Sequence, residues 1–443
     1  MLEVGSFRSQ SCDGISRRSF VKVGATLPWT LPALLHPASA SASTNSKAKS
    51  VILLWLWGGP SHLDTFDPKP NAQSNVRSPF KTVSTSVTGF QLTELLPKLA
   101  QRADKFSLVR SCRFSGNHDM LCLTGARGRG GSREPNFGSI ISQASTRTSL
   151  PPFISVAPRT NLSHGFPCIS VPGFDAGRLG AAYNPFIVRC ASDADVEIPS
   201  LKLANGLTPN RLEDRKFLLG QLDLLKASMQ SDQIDVLDKN HSNAYSLLTS
   251  GESFQAFDLS REPERTHQAY GKTAFGKSAI LGRRLVEAGV PYVQINWSLG
   301  VDGLEEGPLM GWDTHRNGFG QLMTYHCPIF DRVYSTLLDD LEDRGLLDST
   351  LVVAMGEMGR SPKINNIGGR EHWATCTTLW AGGGVDGGKI IGKTDRIGGE
   401  PITSPVSPLM AGTTIAEAMG IDSEARAKLR VLAGGSVVDD LLS

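Results

Sequence analysis

A largely parallel α/β sheet with helices on both faces is the fold class this sequence predicts. Three observations carry that expectation. The run Val51-Ile52-Leu53-Leu54-Trp55-Leu56-Trp57 is apolar throughout and stops at Gly58-Gly59-Pro60, as a strand buried on both faces does. Strand-like and helix-like stretches then alternate along the chain. Polar clusters rich in His, Asp and Glu follow the strand-like stretches, where ligands bind in such sheets.

Taken in order, the first strand covers 51–57 and a helical stretch is expected around 92–101. A strand at 106–110 and a helix-like run through 120–124 come next, and 153–156 reads as another strand. Apolar residues at helical spacing (Leu218, Leu219, Leu222, Leu225) mark residues 210–260 as a helical insertion on the main body. Beyond it, 279–288 is helical and 292–297 a strand. Residues 322–341 form a long amphipathic helix, with Leu322, His326, Phe330, Val333, Leu337 and Leu341 on one face. Strands at 350–355 and 377–381 and a closing helix near 413–419 complete the reading.

Composition excludes several classes. At 443 residues the chain is long enough to bury a large core, and 40% hydrophobic with 20% charged residues is ordinary for a globular protein. A net charge of +2, with Lys and Arg scattered, gives no stripe for nucleic acid. No apolar run reaches the roughly 18 residues of a membrane-spanning helix, so no transmembrane anchor is expected.

The N-terminus carries its own signal. Arg17-Arg18 precedes Phe20 and Lys22, a weakly apolar stretch runs over 23–35, and Ala38-Ser39-Ala40 offers small residues to a peptidase. Residues 1–40 therefore resemble a twin-arginine signal peptide, with 41–50 a linker and 51–443 the folded domain. The plainer reading is a basic arm broken by Pro28 and Pro32. Export places the protein in the periplasm or otherwise outside the cytoplasm, where disulfides are permitted. Of seven cysteines, six remain beyond Cys12, with no C-x-x-C spacing to suggest their pairing.

Five strand-end segments bear candidate functional residues: Asp64, Ser115 with His118, Asp313 with His315, Glu357 with Arg360, and His372. Imidazole and carboxylate together suit zinc, manganese or iron, whereas calcium takes oxygen ligands alone. Each also has a structural reading: Asp64 as a turn former, Asp313 as an N-cap, His372 as a buried hydrogen-bonded histidine. Convergence of all five on one site is the expectation, because each follows a strand. Gly382-Gly383-Gly384-Val385-Asp386-Gly387 fits G-x-G-x-x-G, but a strand rather than a helix follows at 389–391. Ser61 lacks the flanking glycines of a nucleophile elbow.

The segments 57–70, 311–315, 356–363, 369–373, 382–384 and 391–395 resemble the signatures of a bacterial family known as domain of unknown function 1501. That family is placed among the alkaline phosphatases and sulfatases, so the resemblance implies an alkaline-phosphatase-like fold and a metal-dependent site for phosphate or sulfate esters. It further implies that Asp313, His315, Glu357 and His372 hold a divalent metal, with Asp64 and His118 completing the site. Ser115, ahead of Thr124-Gly125, becomes the candidate nucleophile, or else merely caps a helix. Arg360 or Arg370 would hold the anionic oxygens of a small ester or of a sulfated or phosphorylated glycan. Two departures stand out: Trp57-Gly58 replaces a strand-end Asp, and Met358 replaces a His. The sulfatase C-x-P-x-R motif is absent around Cys112 and Ser115. These departures leave open a non-catalytic metal- or ligand-binding protein of the same fold.

Overall fold

A computed structural model of the chain describes residues 47–128, 133–145, 150–158, 173–192, 196–198, 255–297, 311–438 and 440–442. The expected signal peptide, the linker as far as residue 46 and the insertion as far as residue 254 lie outside them. Strand β1 (Ser50–Trp55) is fully buried and sits between β7 (Tyr292–Asn296) and β8 (Thr350–Met355), parallel to both. With β4 (Ser107–Arg113), β5 (Phe153–Pro158), β6 (Phe186–Cys190), β11 (Thr375–Ala381) and β12 (Ile390–Ile391) they form an eight-stranded sheet, ordered β12-β4-β11-β8-β1-β7-β5-β6. Every pairing is parallel except those of β11, which runs antiparallel to β4 and β8.

Strand alternation divides the core in two. Ile52, Leu54 and Leu56 face the layer that holds helices α2 (Ala274–Glu287) and α3 (Cys327–Asp343). Val51, Leu53 and Trp55 face the layer of α1 (Phe137–Ala144), α4 (Pro408–Ala418) and α5 (Ser423–Leu429). Each large apolar side chain buried this way contributes roughly 1.5–3 kcal/mol. The helices begin where the sequence supplies caps. Asn136, Thr273, Ser407 and Asp422 each accept a hydrogen bond from an amide in the first turn, and Pro408 stands at the start of α4.

Beyond β6 and α1, which the sequence reading does not contain, three differences have a clear physical reason or bear on the site. Residues 92–101 divide into strand β3 (Gln91–Thr93), paired with β2 (Thr82–Ser84), and a single turn Pro97–Ala100. Pro97 pushes Leu96 out of the helical region, so no helix continues through it. The long helix begins at Gly318 and widens into a π turn over Leu322–His326 before α3. There the buried His326 ring meets the carbonyls of Gln321 and Gly311, at 3.1 and 2.6 Å. A hairpin of β9 (Gly359–Ile364) and β10 (Arg370–Trp373) rises between β8 and β11, which the sequence reading does not contain.

Candidate metal centre

The site lies at the carboxyl ends of β4, β8, β1 and β7. Past β1 the chain turns through Gly58, whose positive φ and surroundings admit only glycine: a Cβ there would stand 2.2 Å from the Asp313 amide nitrogen. The Gly58 amide donates to both oxygens of the fully buried Glu357, at 2.9 and 3.1 Å. The Trp312 amide donates to the Trp57 carbonyl at 2.7 Å, which brings Asp313 over the same turn. β4 leads into the turn that carries His118, and the Trp57 indole stacks on that imidazole with centroids 5.3 Å apart. The hairpin supplies His372, cross-strand from Arg360.

Three imidazoles meet at the Asp313 carboxylate. His118 Nε2 lies 3.3 Å from Oδ2, while His372 Nε2 and His315 Nε2 lie 3.1 and 2.9 Å from Oδ1. His315 and His372 bring their Nε2 atoms to 2.9 Å of each other. His118, Asp313 and His372 each offer a ligand atom, all within 4.8 Å of one another, so they can hold a metal ion.

Two outer carboxylates fix the tautomers. Glu357 Oε1 lies 2.8 Å from His118 Nδ1, and Glu371 Oε2 lies 2.7 Å from His315 Nδ1. A carboxylate only accepts, so each Nδ1 donates and each Nε2 is turned toward Asp313. Burial works against charge on His118, but hydrogen bonds to Asp313 and Glu357 outweigh it and lift the imidazole to about 9. Burial likewise opposes ionisation of Asp313. Hydrogen bonds to His118 and His372, and then the charge of Arg360, hold it well below the usual carboxylate range. Imidazole nitrogens and a carboxylate oxygen converge on a point that needs positive charge. That donor set fits a zinc-, manganese- or iron-like cation.

The residues expected to share this site divide. His118, Asp313, His315 and His372 come together. Glu357 stands behind them, with its oxygens on Gly58 and His118. Asp64 falls outside the group: the turn His62–Asp64 carries it to a buried bidentate pair with Arg370, at 2.7 and 3.0 Å. Arg370 is thereby withdrawn from any substrate. Arg360, expected to meet a substrate, is 0% exposed and donates to the carbonyls of Gly58, Gly59, Trp312 and Arg370 and to Asp313. Its charge braces the loops instead. Ser115 lies in the turn before His118, with Oγ donating to the Asn117 carbonyl at 3.1 Å, and caps no helix, since the next one starts at Leu121.

Sequence reading assigns no role to Trp57 or Glu371. The register shift between Arg370 and His372 marks an irregularity at Glu371, where strand alternation no longer tells which way a side chain faces.

The model of the family described as a protein of unknown function (DUF1501) matches residues 48–434. The chain belongs to this family. All four residues gathered at Asp313 fall within the matched part of this DUF1501 protein. No curated protein matches it significantly. Solved structures similar to it include the PsFucS1 sulfatase from Pseudoalteromonas sp., 11% identical over 85% of this chain and 68% of that one, with a TM-score of 0.35. A magnesium-bound mutant of TAB5 alkaline phosphatase is 11% identical over 84% and 98%, at 0.36. The phosphonate monoester hydrolase SpPMH from Silicibacter pomeroyi is 11% identical over 89% and 76%, at 0.32. At such scores the likeness carries no weight for activity.

Proposed function

We propose that this protein is an exported, metal-dependent hydrolase of phosphate or sulfate esters, acting on a small anionic ester or a sulfated or phosphorylated glycan. The observation that supports it is the group at Asp313. The carboxylate is 7% exposed, but the imidazoles of His118, His315 and His372 are 30, 31 and 27% exposed, so a ligand from solvent reaches them. A divalent cation held there would supply Lewis acidity to an ester oxygen. Glu357 and Glu371 orient the imidazoles, Arg360 steadies Asp313, and Ser115 offers a hydroxyl in the same turn as His118.

The decisive experiment is metal analysis of the purified protein, followed by a panel of phosphate and sulfate esters. About one equivalent of metal and turnover of at least one ester class are expected, with Ser115→Ala folded, metal-loaded and slower by orders of magnitude. A wild type that neither contains metal nor takes it up defeats the reading. Full activity in Ser115→Ala removes the serine but not the hydrolase. A second reading, a binding protein that keeps the metal, is favoured by the inward commitment of Arg360, which is spent on backbone carbonyls and Asp313 rather than on an anionic ligand. Metal bound without turnover across the panel selects it. Export is tested by Arg17→Lys with Arg18→Lys, for which precursor is expected to accumulate in the cytoplasm.

A further inference from the structure

Cys112 on β4 and Cys376 on β11 are register partners in the antiparallel ladder, and both are free thiols. Residues directly opposed in such a ladder have Cα atoms about 4.5 or 5.5 Å apart, depending on the pair type. Both values fall within the roughly 4.4–6.8 Å that a disulfide spans. Opposed residues also point to the same face, and both thiols belong to the core on the α1–α4–α5 side, 1% and 3% exposed. Burial, and then the adjoining Cys112 thiol, push the Cys376 thiol well above the usual range. Among the described cysteines, Cys190 and Cys327 lie in the opposite core, and Cys122 is the one other thiol on this side.

We propose that Cys112 and Cys376 are a modification site that closes into a cross-strand disulfide when the chain meets a disulfide oxidant. One protein thiolate attacks a sulfur of oxidised glutathione, forming a mixed disulfide and releasing one glutathione thiol. The second cysteine then attacks the protein-bound sulfur and displaces the other glutathione. Two protein thiols are oxidised, one small disulfide is reduced to two thiols, and the two protons pass to those thiols. The bond joins the strand that leads to His118 with the strand that follows His372, so it ties two arms of the site together. Buried neutral thiols exchange slowly once the strands are paired, so closure takes place through local opening or in the folding chain.

The test uses the full chain, purified under reductant and incubated with oxidised or reduced glutathione in mild denaturant. After return to buffer, the samples are alkylated and digested. Mass spectrometry is expected to find a peptide linking Cys112 to Cys376 in the oxidised sample alone. The unfolding midpoint of that sample should rise, because the bridge restricts the unfolded chain. Cys112→Ser and Cys376→Ser should each remove the linked peptide and the difference in midpoint between the oxidised and reduced samples, whatever their own stability. Recovery of both cysteines as alkylated thiols from the oxidised sample overturns the proposal. So does a link from either of them to Cys122.

Discussion

Two groups of charges draw on the hairpin, through Arg370 in one and through Arg360 and His372 in the other, and behave in opposite ways. At Asp64 and Arg370, a carboxylate and a guanidinium meet face to face, each 1% exposed, with Ser61 and three backbone carbonyls completing their hydrogen bonds. Nothing is left over. At Asp313, one carboxylate faces three imidazoles, and the outer protons of two of them, His118 and His315, are already claimed by Glu357 and Glu371. Its one permanent cation, Arg360, is shared with four carbonyls. The first group is neutral within itself and serves the fold. The second is completed only by positive charge from elsewhere, whether protons on the imidazoles or a metal. Internal balance, rather than burial or residue type, separates a structural ion pair from a site.

The largest test of this contrast removes Asp313. Asp313→Ala should lower bound metal to well under one equivalent while the sheet persists, as read by metal analysis and circular dichroism. Metal retained at the wild-type level would place the centre elsewhere. Arg370→Met should do the reverse, destabilising the protein by roughly 3–5 kcal/mol in denaturant unfolding because Asp64 is left buried and unpaired. The folded fraction should still bind metal, and the double variant with Asp64→Leu should recover part of the loss. Glu357→Gln probes the outer carboxylate, with metal affinity expected to fall about 10–100-fold through a less firmly held His118. A ligand role for Glu357 itself would instead empty the site.

The smallest effect is the dependence on pH. His118 titrates at about 9 in the metal-free protein, above its ordinary value, so at neutral pH a cation must displace its proton. Apparent metal affinity should rise with pH, by up to about tenfold per unit, and level off once the pH passes that value. Calorimetry at neutral pH in buffers of different ionisation heat should report about one proton released per metal bound. No release would show that His118 is not displaced.

Much of the sheet is legible in the sequence because its central strands are apolar runs of fixed length. The apolar runs place β1, β7 and β8 each within a residue or two of where they lie. The hairpin is not legible. Gly359-Arg-Ser-Pro-Lys-Ile has neither alternation nor an apolar run, and it is held by its partners: Ile364 donates to Asn75, and Arg370 reaches Asp64 and Val76. The same reason limits the site. Spacing marks Asp64 and Asp313 alike as carboxylates beyond strands. Only the folded chain shows that an arginine 306 residues away neutralises one of them and that histidines surround the other.

The pairing of β1 with β8 bears on when the site comes into being. Gly58 and Glu357, which share a hydrogen bond, are 299 residues apart, and His118 and Glu357 are 239 apart. Contacts so distant in sequence close slowly, because the loop between them must first lose its freedom. The ligand group is therefore among the last features the chain acquires, and no fragment ending before β10 can assemble it. Metal uptake becomes a clock for the completion of folding: stopped-flow binding during refolding should lag behind the recovery of helical signal.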